Sequence, residues 1–217
     1  MDCIAHRGFA GVNPENTLPA VRDAVERADA VEVDLRRCAS GELVVHHDET
    51  VDRTTDGSGR VADHTAEELA SLSVDGFDAG VPTFAAVLDA VPGDVTVHAE
   101  LKERGLGEET AAMAREVDPR VVVSSFDPAA LREVDGPPTA FITTEADGAI
   151  ERATSLGCRG LHLRTDAVTQ SVVARAHEAG LVLNAWTVTS PEEVGALVDC
   201  GVDGVATDFP SCCPSRV

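Results

Sequence analysis

Short apolar runs rich in β-branched residues alternate along the chain with segments of helical periodicity. The runs that predict strands cover residues 2–5, 30–35, 94–101, 120–123, 139–142, 159–163, 181–185 and 203–206. The segments that predict helices cover residues 17–29, 83–90, 107–117, 128–134, 146–156, 168–179 and 191–199. Eight strands with a helix between successive ones predict an α/β fold, a closed parallel (β/α)8 barrel of the TIM type. Only residues 208–217 follow the last strand, so we expect the final helix to be truncated or missing.

The interval 36–82 interrupts this alternation between the second strand and its helix. It contains a turn-rich string at 52–59, a strand-like run at 42–47 and a helical segment at 66–72 behind a possible cap at Thr65. We therefore expect a small insertion after the second strand. No linker or break in composition divides the chain, which predicts a single domain over residues 1–217.

The charge balance narrows the classes of partner. Among 217 residues, 17 are Lys or Arg and 38 are Asp or Glu, for a formal net charge of −21. Such a surface repels phosphate backbones and anionic lipids, which argues against nucleic acid and against stable membrane association. The chain has no apolar run of the ~20 residues that cross a bilayer and no signal-peptide pattern at its start. An acidic composition poor in lysine and aromatics is typical of a high-salt cytoplasm, which is the localisation we expect.

The cysteines show no metal-binding or redox motif. Cys3, Cys38, Cys158, Cys200, Cys212 and Cys213 include no CxxC pair and no zinc spacing with histidine. We expect reduced, mostly buried thiols, as in a cytosolic protein. The adjacent Cys212 and Cys213 receive no role, and the sequence makes no prediction of the oligomeric state.

Three carboxylates are predicted to meet at the carboxyl ends of two neighbouring strands. Alternation along 31–35 directs Glu32 and Asp34 to the barrel axis, and the same parity in the next strand directs Glu100 there. Carboxylates on one buried face repel one another unless a positive charge lies between them. Oxygen ligands suit Mg²⁺ or Ca²⁺ better than zinc, so we expect a divalent cation there. An exposed edge strand with a polar face is the structural alternative.

Cationic and imidazole side chains are predicted at the same mouth. Lys102, the only lysine of the chain, has the parity of Glu100, although a chance position on a loop is the alternative. The first strand ends at His6 and Arg7, and the strand of the insertion ends at His47. Two proton carriers beside a cation site and an anion-binding pair are typical of a phosphodiesterase.

Seven motifs, in this order, carry a resemblance to a known family. They are His6-Arg7-Gly8, Pro14-Glu15-Asn16-Thr17, Glu32-Val33-Asp34, the run 45–57, Glu100-Leu101-Lys102, Trp186-Thr187-Val188 and the run 201–210. Together they resemble the glycerophosphodiester phosphodiesterase family over residues 4–210. The resemblance implies a (β/α)8 barrel with a small insertion after the second strand. It also implies metal-dependent hydrolysis of a small glycerophosphodiester to glycerol phosphate and an alcohol.

The resemblance also assigns roles residue by residue. It implies that His6 is the general base and His47 the general acid. It makes Glu32, Asp34 and Glu100 the metal ligands and puts Arg7 and Lys102 on the phosphate, with Glu15 and Asn16 in a supporting loop. The neighbouring His46 is the rival to His47, but the spacing of the family favours His47, and alternation directs His46 to the opposite face.

Other residues keep two interpretations. Trp186 and Phe126 are predicted to form walls for the alcohol moiety, with ordinary core packing as the alternative. His98 and His162 are interpreted as core histidines. The outer half of the insertion is acidic, which predicts a preference against anionic headgroups; its carboxylates are Asp63, Glu67, Glu68, Asp75 and Asp78. Two rival functions remain, a lyase-type phospholipase that releases a cyclic phosphate and a non-catalytic barrel that binds a metal or phosphate.

Overall fold

The computed structural model describes residues 1–213 and shows a closed barrel of eight parallel strands. A further strand, β3, lies outside the barrel and pairs antiparallel with β2. Each barrel strand pairs with the next one, and the last pairs back with the first, which confirms the predicted barrel. The strands are β1 (Asp2–Ala5), β2 (Ala30–Arg37), β3 (Leu43–Val45), β4 (Thr96–Leu101), β5 (Val121–Ser125), β6 (Thr139–Thr143), β7 (Gly160–Arg164), β8 (Val182–Val188) and β9 (Gly204–Thr207).

Helices follow the barrel strands and form the outer layer. Most begin after a residue whose side chain accepts a hydrogen bond from the first turn, which stabilises that end: Thr17, Thr65, Thr83, Asp127, Thr169 and Ser190. The helices are α1 (Leu18–Val25), α2 (Ala66–Ala70), α3 (Phe84–Ala90), α4 (Gly107–Ala114), α5 (Pro128–Leu131), α6 (Ala149–Ser155), α7 (Gln170–Glu178) and α8 (Pro191–Cys200). No helix within residues 1–213 is long and apolar enough to cross a bilayer.

The core lies on both sides of the strands. Val31, Val33 and Leu35 on β2 are fully buried in an apolar cluster that also includes Val21 of α1 and Phe84 of α3. Burial of each such side chain stabilises the fold by about 1.5–3 kcal/mol. The barrel interior is filled by a smaller cluster of Ile4, Ala30 and Ala206, against which Trp186 packs. Along β2, Glu32 and Asp34 alternate with Val31, Val33 and Leu35, so these two polar side chains lie on the opposite face of the strand.

The insertion after β2 has a small core of its own. Strand β3 extends the sheet at β2, and α2 begins with a capping box formed by Thr65 and Glu68, as the sequence predicts. A separate cluster of buried side chains holds the segment together: Cys38, Val44, Val51, Val61, Leu69, Val74 and Val81. The insertion is therefore packed in its own right and lies beside the carboxyl end of β2.

The chain after β9 agrees with the predicted truncation as far as it is described. A single 3-10 turn, Pro210–Cys212, takes the place of the last helix. The remainder of that prediction concerns residues 214–217, which lie outside the described residues.

One cysteine prediction is wrong, because Cys3 and Cys213 form a disulfide across a sequence separation of 210 residues. Closure of the barrel is the physical reason: β1 pairs with β9, so the two ends of the chain meet, and the two Cα atoms lie 5.1 Å apart. Cys38, Cys158 and Cys212 are free and buried, and Cys200 is free and half-buried. The prediction of reduced, mostly buried thiols therefore describes these four cysteines and not the first and last.

Candidate active site

A cavity of about 290 Å³ opens at the carboxyl ends of the barrel strands. This is the end at which (β/α)8 barrels carry their chemistry, because the loops after the strands converge there. Its lining contains most of the candidate residues named above: His6, Arg7, Glu32, His47, Glu100, Lys102, Phe126, His162 and Trp186. Ser124, Ile142 and Ala206 complete the lining, whereas the candidates Asp34, Glu15 and Asn16 lie outside it. The cavity therefore brings together charged, imidazole and aromatic side chains from many strands.

The three predicted carboxylates meet at this end of the barrel. Asp34 on β2 is the direct neighbour of Glu100 on β4, and one oxygen each of Glu32, Asp34 and Glu100 lies within 4.8 Å of the others. Within residues 1–213, Glu32 Oε1 and Asp34 Oδ1 are buried without a hydrogen-bond partner. Burial, with the charge of Asp34, raises the pKa of Glu32 to about 8. Buried carboxylate oxygens at this spacing, two of them without a hydrogen bond, fit a hard divalent cation.

Two cationic side chains flank these carboxylates. Lys102 Nζ lies 2.6 Å from Glu100 Oε1 and 3.5 Å from Asp34 Oδ1. Arg7 Nε lies 3.2 Å from Asp34 Oδ2. Burial alone would raise the pKa of Asp34, but the charges of Arg7 and Lys102 outweigh it and hold that pKa below its usual value. Positive charge is thus available beside the triad for an anionic ligand.

A tight turn at the end of β1 places His6 and Arg7 on the rim. Arg7 has a φ of 50°, Gly8 a φ of 75°, and the Arg7 amide donates a hydrogen bond to Glu32 Oε2 at 3.0 Å. A Cβ at position 8 would lie 2.7 Å from Cβ of Ala20 on α1. Glycine is required there because the turn packs directly on the helix and has a left-handed conformation.

His6 is held by a carboxylate that sequence reasoning did not single out. Its Nδ1 lies 2.6 Å from Asp208 Oδ1, and its Nε2 lies 3.9 Å from Glu32 Oε2. Burial alone would lower the pKa of His6, but the hydrogen bond with Asp208 and the charge of Glu32 outweigh it and raise that pKa. Asp208 follows β9, the neighbour of β1, and this adjacency is the signal that could have identified it.

His47 is held by the residue that follows it. Its Nδ1 lies 2.6 Å from Asp48 Oδ1, and its carbonyl accepts hydrogen bonds from Nε and Nη2 of Arg36 at 3.0 and 2.9 Å. Burial lowers the pKa of His47, and the charge of Asp34 offsets only part of that effect. His46 is buried away from the cavity lining, with its Nε2 bonded to the carbonyl of Thr50 at 3.1 Å.

The loop before α1 supports the cations and the carboxylates. Glu15 Oε1 accepts a hydrogen bond from Nη1 of Arg7 at 3.2 Å. Asn16, buried with a φ of 59°, donates from Nδ2 to Asp34 Oδ2 at 2.9 Å. Glu15 therefore orients Arg7, and Asn16 orients Asp34.

Comparison with known proteins gives the family. Residues 6–212 match the model of the Glycerophosphoryl diester phosphodiesterase family. The chain belongs to this family. It is 34% identical over 95% of its length to the glycerophosphodiester phosphodiesterase of Caldanaerobacter subterraneus subsp. tengcongensis, 93% of which is covered. It is 31% identical to the glycerophosphodiester phosphodiesterase of Bacillus altitudinis, with coverage of 95% of this chain and 94% of the relative.

Solved structures give the same result. A phosphodiesterase of Oleispira antarctica in complex with the product sn-glycerol-3-phosphate has a TM-score of 0.88 and 29% identity, covering 97% of this chain and 94% of that one. The glycerophosphodiester phosphodiesterase of Thermotoga maritima has a TM-score of 0.84 and 27% identity, covering 96% and 95%. The predicted family, fold and enzyme class, a phosphodiesterase, are confirmed.

In this member of the family, aromatic side chains form one wall of the cavity. The rings of Phe126 and Trp186 meet edge to face with centroids 5.4 Å apart, and Phe126 is 43% exposed. Trp186 Nε1 donates a hydrogen bond to the carbonyl of His162 at 3.1 Å. Such a wall offers apolar contact to an organic group bound beside the charged residues.

Two further histidines lie deeper in the barrel. The rings of His98 and His162 are 5.2 Å apart, and His162 also lines the cavity. Burial lowers the pKa of His162 to about 4, and burial, with the neighbouring His162 and Arg120, holds the pKa of His98 well below its ordinary value. Both imidazoles are therefore neutral near pH 7, and the direction of their pKa shift is opposite to that of His6.

The acidic residues of the insertion lie on its surface. All five are exposed, and the cavity lining contains none of them: Asp63, Glu67, Glu68, Asp75 and Asp78. They make no direct contact in the cavity, so the predicted preference against anionic headgroups could act only through their long-range field.

Proposed function

We propose that this chain hydrolyses glycerophosphodiesters to glycerol phosphate and an alcohol, with paired histidines for proton transfer and a divalent cation, Mg²⁺ or Ca²⁺, on the carboxylate triad. One observation supports the proposal above all. The two proposed catalytic histidines, two carboxylates and two cationic side chains line a single cavity of about 290 Å³, and Asp34 lies within 4.8 Å of both carboxylates. The product named with the Oleispira antarctica structure, sn-glycerol-3-phosphate, agrees with this reaction.

Glu32, Asp34 and Glu100 would hold the cation. When bound, it supplies Lewis-acid stabilisation of the negative charge that develops on the phosphoryl oxygens. Arg7 and Lys102 bind and orient the same phosphate, because both line the cavity and both already contact carboxylates. The attraction of both side chains to the phosphate strengthens as the transition state gains negative charge.

The two histidines divide the proton transfers. His6 accepts the proton of the attacking group, which is either water or the neighbouring hydroxyl of the glycerol. Because Asp208 bonds to Nδ1, the ring nitrogen that takes this proton is Nε2. His47 donates a proton to the departing alkoxide, with Asp48 stabilising the charged imidazole. Glu32, if it held the cation, would no longer raise the pKa of His6 through its charge, and the neutral form of His6 that a base requires would be favoured.

The alcohol moiety of the substrate would lie against Phe126 and Trp186. These rings are the apolar wall beside the charged cluster, and no carboxylate other than Glu32 and Glu100 appears in the lining within residues 1–213. The acidic surface of the insertion disfavours anionic headgroups through its field. Comparable kcat/KM for serine and choline esters at low and multimolar salt would contradict that preference.

The medium is a separate part of the proposal. A net charge of −21 favours a high-salt environment, where self-repulsion is screened. The Cys3–Cys213 disulfide is unusual for a reducing cytosol, so it argues against the compartment that the composition predicts. Activity that rises from low salt to multimolar KCl would support the high-salt assignment, and activity lost in multimolar KCl would contradict it.

Phosphorus NMR of glycerophosphocholine with Mg²⁺ or Ca²⁺ tests the reaction itself. We expect the diester signal to be replaced by that of glycerol phosphate. Accumulation of a cyclic phosphate would indicate lyase chemistry, and a diester signal that persists would indicate a barrel that only binds. For substitutions of His6 and His47, the matched control is His64→Gln, because His64 lies in the insertion outside the cavity lining.

A further inference from the structure

We propose that Arg53 is a positioning residue, which fixes His47 through Asp48 and Arg7 through Glu15 by a single guanidinium. The inference rests on the proposed function, because it assigns the catalytic work to His47 and Arg7. Arg53 itself does not line the cavity, so it would act only through its neighbours.

Arg53 holds the imidazole of His47 in place through Asp48. Asp48 Oδ1 lies 2.6 Å from Nδ1 of His47, and Asp48 Oδ2 accepts a hydrogen bond from Nε of Arg53. An aspartate with one oxygen on an arginine and the other on an imidazole cannot rotate without breaking both contacts. The ring of His47 is thereby fixed with Nε2 as the nitrogen left for the substrate.

Arg53 also holds the guanidinium of Arg7 in place, through Glu15. Arg53 donates from Nη1 to Glu15 Oε2 at 3.0 Å and from Nη2 to Glu15 Oε1 at 2.7 Å. The same Glu15 oxygen, Oε1, accepts from Nη1 of Arg7 at 3.2 Å. Glu15 is therefore held in one orientation by a forked contact, and its hydrogen bond with Arg7 fixes the orientation of the Arg7 guanidinium.

These contacts join two segments that are separate in the sequence. Glu15 belongs to the loop after β1, and Asp48 belongs to the insertion after β2. Arg53 uses three nitrogens, one on Asp48 and two on Glu15, so it links the barrel rim to the insertion. Lysine has the same charge but a single nitrogen, which cannot reproduce a fork and a third contact together.

Arg53→Lys is the decisive variant, and Arg164→Lys is its matched control. The side chains of Arg53 and Arg164 are 48% and 47% exposed, and each guanidinium makes a forked pair with a carboxylate, Glu15 and Asp166 respectively. We expect Arg53→Lys to lower kcat/KM by about 10- to 100-fold, as for other groups that orient a catalytic side chain. The control should stay within about twofold of the wild type, because an isolated surface pair contributes little.

Variants of Asp48 and Glu15 separate the effect of Arg53 on His47 from its effect on Arg7. Asp48→Asn should lower kcat with KM within about twofold, because His47 acts in the transition state. Glu15→Gln should raise KM more than it lowers kcat, because Arg7 binds the phosphate in the ground state as well. Arg53→Lys should show both changes, and adding it to Asp48→Asn should lower kcat no further.

Nitrogen-15 NMR of the imidazoles, recorded without substrate, gives a readout that does not depend on turnover. We expect His47 of the wild type and of Arg164→Lys to carry its proton on Nδ1, and Arg53→Lys to show a mixture of the two tautomers. An unchanged tautomer in Arg53→Lys, or kinetics equal to those of the control, would overturn the proposal. So would loss of the folded state in Arg53→Lys, since Arg53 would then be needed for folding. If the wild type hydrolyses no diester, the proposed function fails, and the tautomer measurement still decides the role of Arg53.

Discussion

Each of the two candidate catalytic histidines bonds to an aspartate, but one aspartate is distant in the sequence and the other is adjacent. His6 on the barrel rim bonds to Asp208, 202 residues away, and His47 in the insertion bonds to Asp48, the next residue. Both Nδ1 to carboxylate distances are 2.6 Å. The rim pair exists only when the barrel is closed, whereas the insertion pair is local and depends on Arg53 for its orientation.

The difference shows how surroundings set the two pKa values apart. The hydrogen bond with Asp208 and the charge of Glu32 outweigh burial and raise the pKa of His6. Burial dominates at His47, whose pKa is lowered. Two histidines with the same kind of partner therefore differ in their preferred charge in the free site. These preferences are opposite to the forms used in turnover, because the base His6 must be neutral and the acid His47 must carry a proton.

Removal of either imidazole should have the largest effect. We expect His6→Ala and His47→Ala each to lower kcat by about 10²- to 10⁴-fold, the usual contribution of a positioned acid or base. Steady-state release of glycerol phosphate measures the loss, and calorimetric titration of the product shows whether binding is retained. If one variant retains full turnover, only the other region carries the chemistry, and the comparison breaks down.

Loss of the disulfide, which lies on the rim side of the comparison, should lower the stability of the chain. Cys3–Cys213 joins β1, which leads to His6, to the segment that follows Asp208. We expect the double substitution Cys3→Ser/Cys213→Ser to lower the free energy of unfolding by about 2–4 kcal/mol, measured by urea titration. Cys200→Ser is the control because Cys200 is free and half-buried. Equal stability of the double variant and the control would contradict the expectation.

The two aspartates should differ in importance. Asp208→Asn should lower kcat by about 100-fold and Asp48→Asn by about tenfold, within the range for groups that orient a catalytic side chain. The rim pair is the more buried, with His6 at 18% side-chain exposure against 31% for His47. Hydrogen bonds to charged groups strengthen as water is excluded. A larger loss for Asp48→Asn would reverse the ranking of the two regions.

The interior histidines should produce the smallest effect, a change of stability with pH. Burial lowers the folded pKa of His162 to about 4, below the ordinary 6.5 of the unfolded chain. The unfolded state therefore binds more protons between these values, and the free energy of unfolding should fall as the pH falls from 6.5 towards 4. One group contributes at most about 1.4 kcal/mol per pH unit.

Urea titrations at pH 7 and pH 5 measure this effect. His162→Gln should reduce the slope, and His98 should supply much of what remains, because its pKa is lowered for the same reason. If the free energy of unfolding of His162→Gln changes with pH as much as that of the wild type, His162 does not cause the pH dependence, and the expectation is wrong.

Much of the fold and of the metal-site geometry could be predicted from local pattern. Strict alternation on β2 and β4 is visible in the sequence, and it directs Glu32, Asp34 and Glu100 to the same mouth. Strand positions agree within a few residues because β-branched runs end at polar turns. Helix ends agree less well: α5 covers Pro128–Leu131, whereas the pattern predicts 128–134, because apolar residues such as Val134 pack on the core from the turn that follows.

Features that depend on barrel closure could not be predicted from pattern. Asp208 is one carboxylate among many until β9 is placed beside β1, and only then does it lie next to His6. Six cysteines allow about 15 fully paired arrangements, and the sequence alone does not select Cys3 and Cys213. The Arg53 contacts are also invisible in a motif, because they join two loops through a side chain.

The most direct test of the account is the rate of glycerophosphocholine hydrolysis in the presence of a chelator, followed by return of Mg²⁺ or Ca²⁺. The account requires that Glu32, Asp34 and Glu100 bind the cation on which turnover by His6 and His47 depends. We predict that chelation stops hydrolysis, that the cation restores it in the wild type, and that it does not restore it in Asp34→Asn. Hydrolysis at the wild-type rate in the chelator, or in Asp34→Asn, would contradict the account.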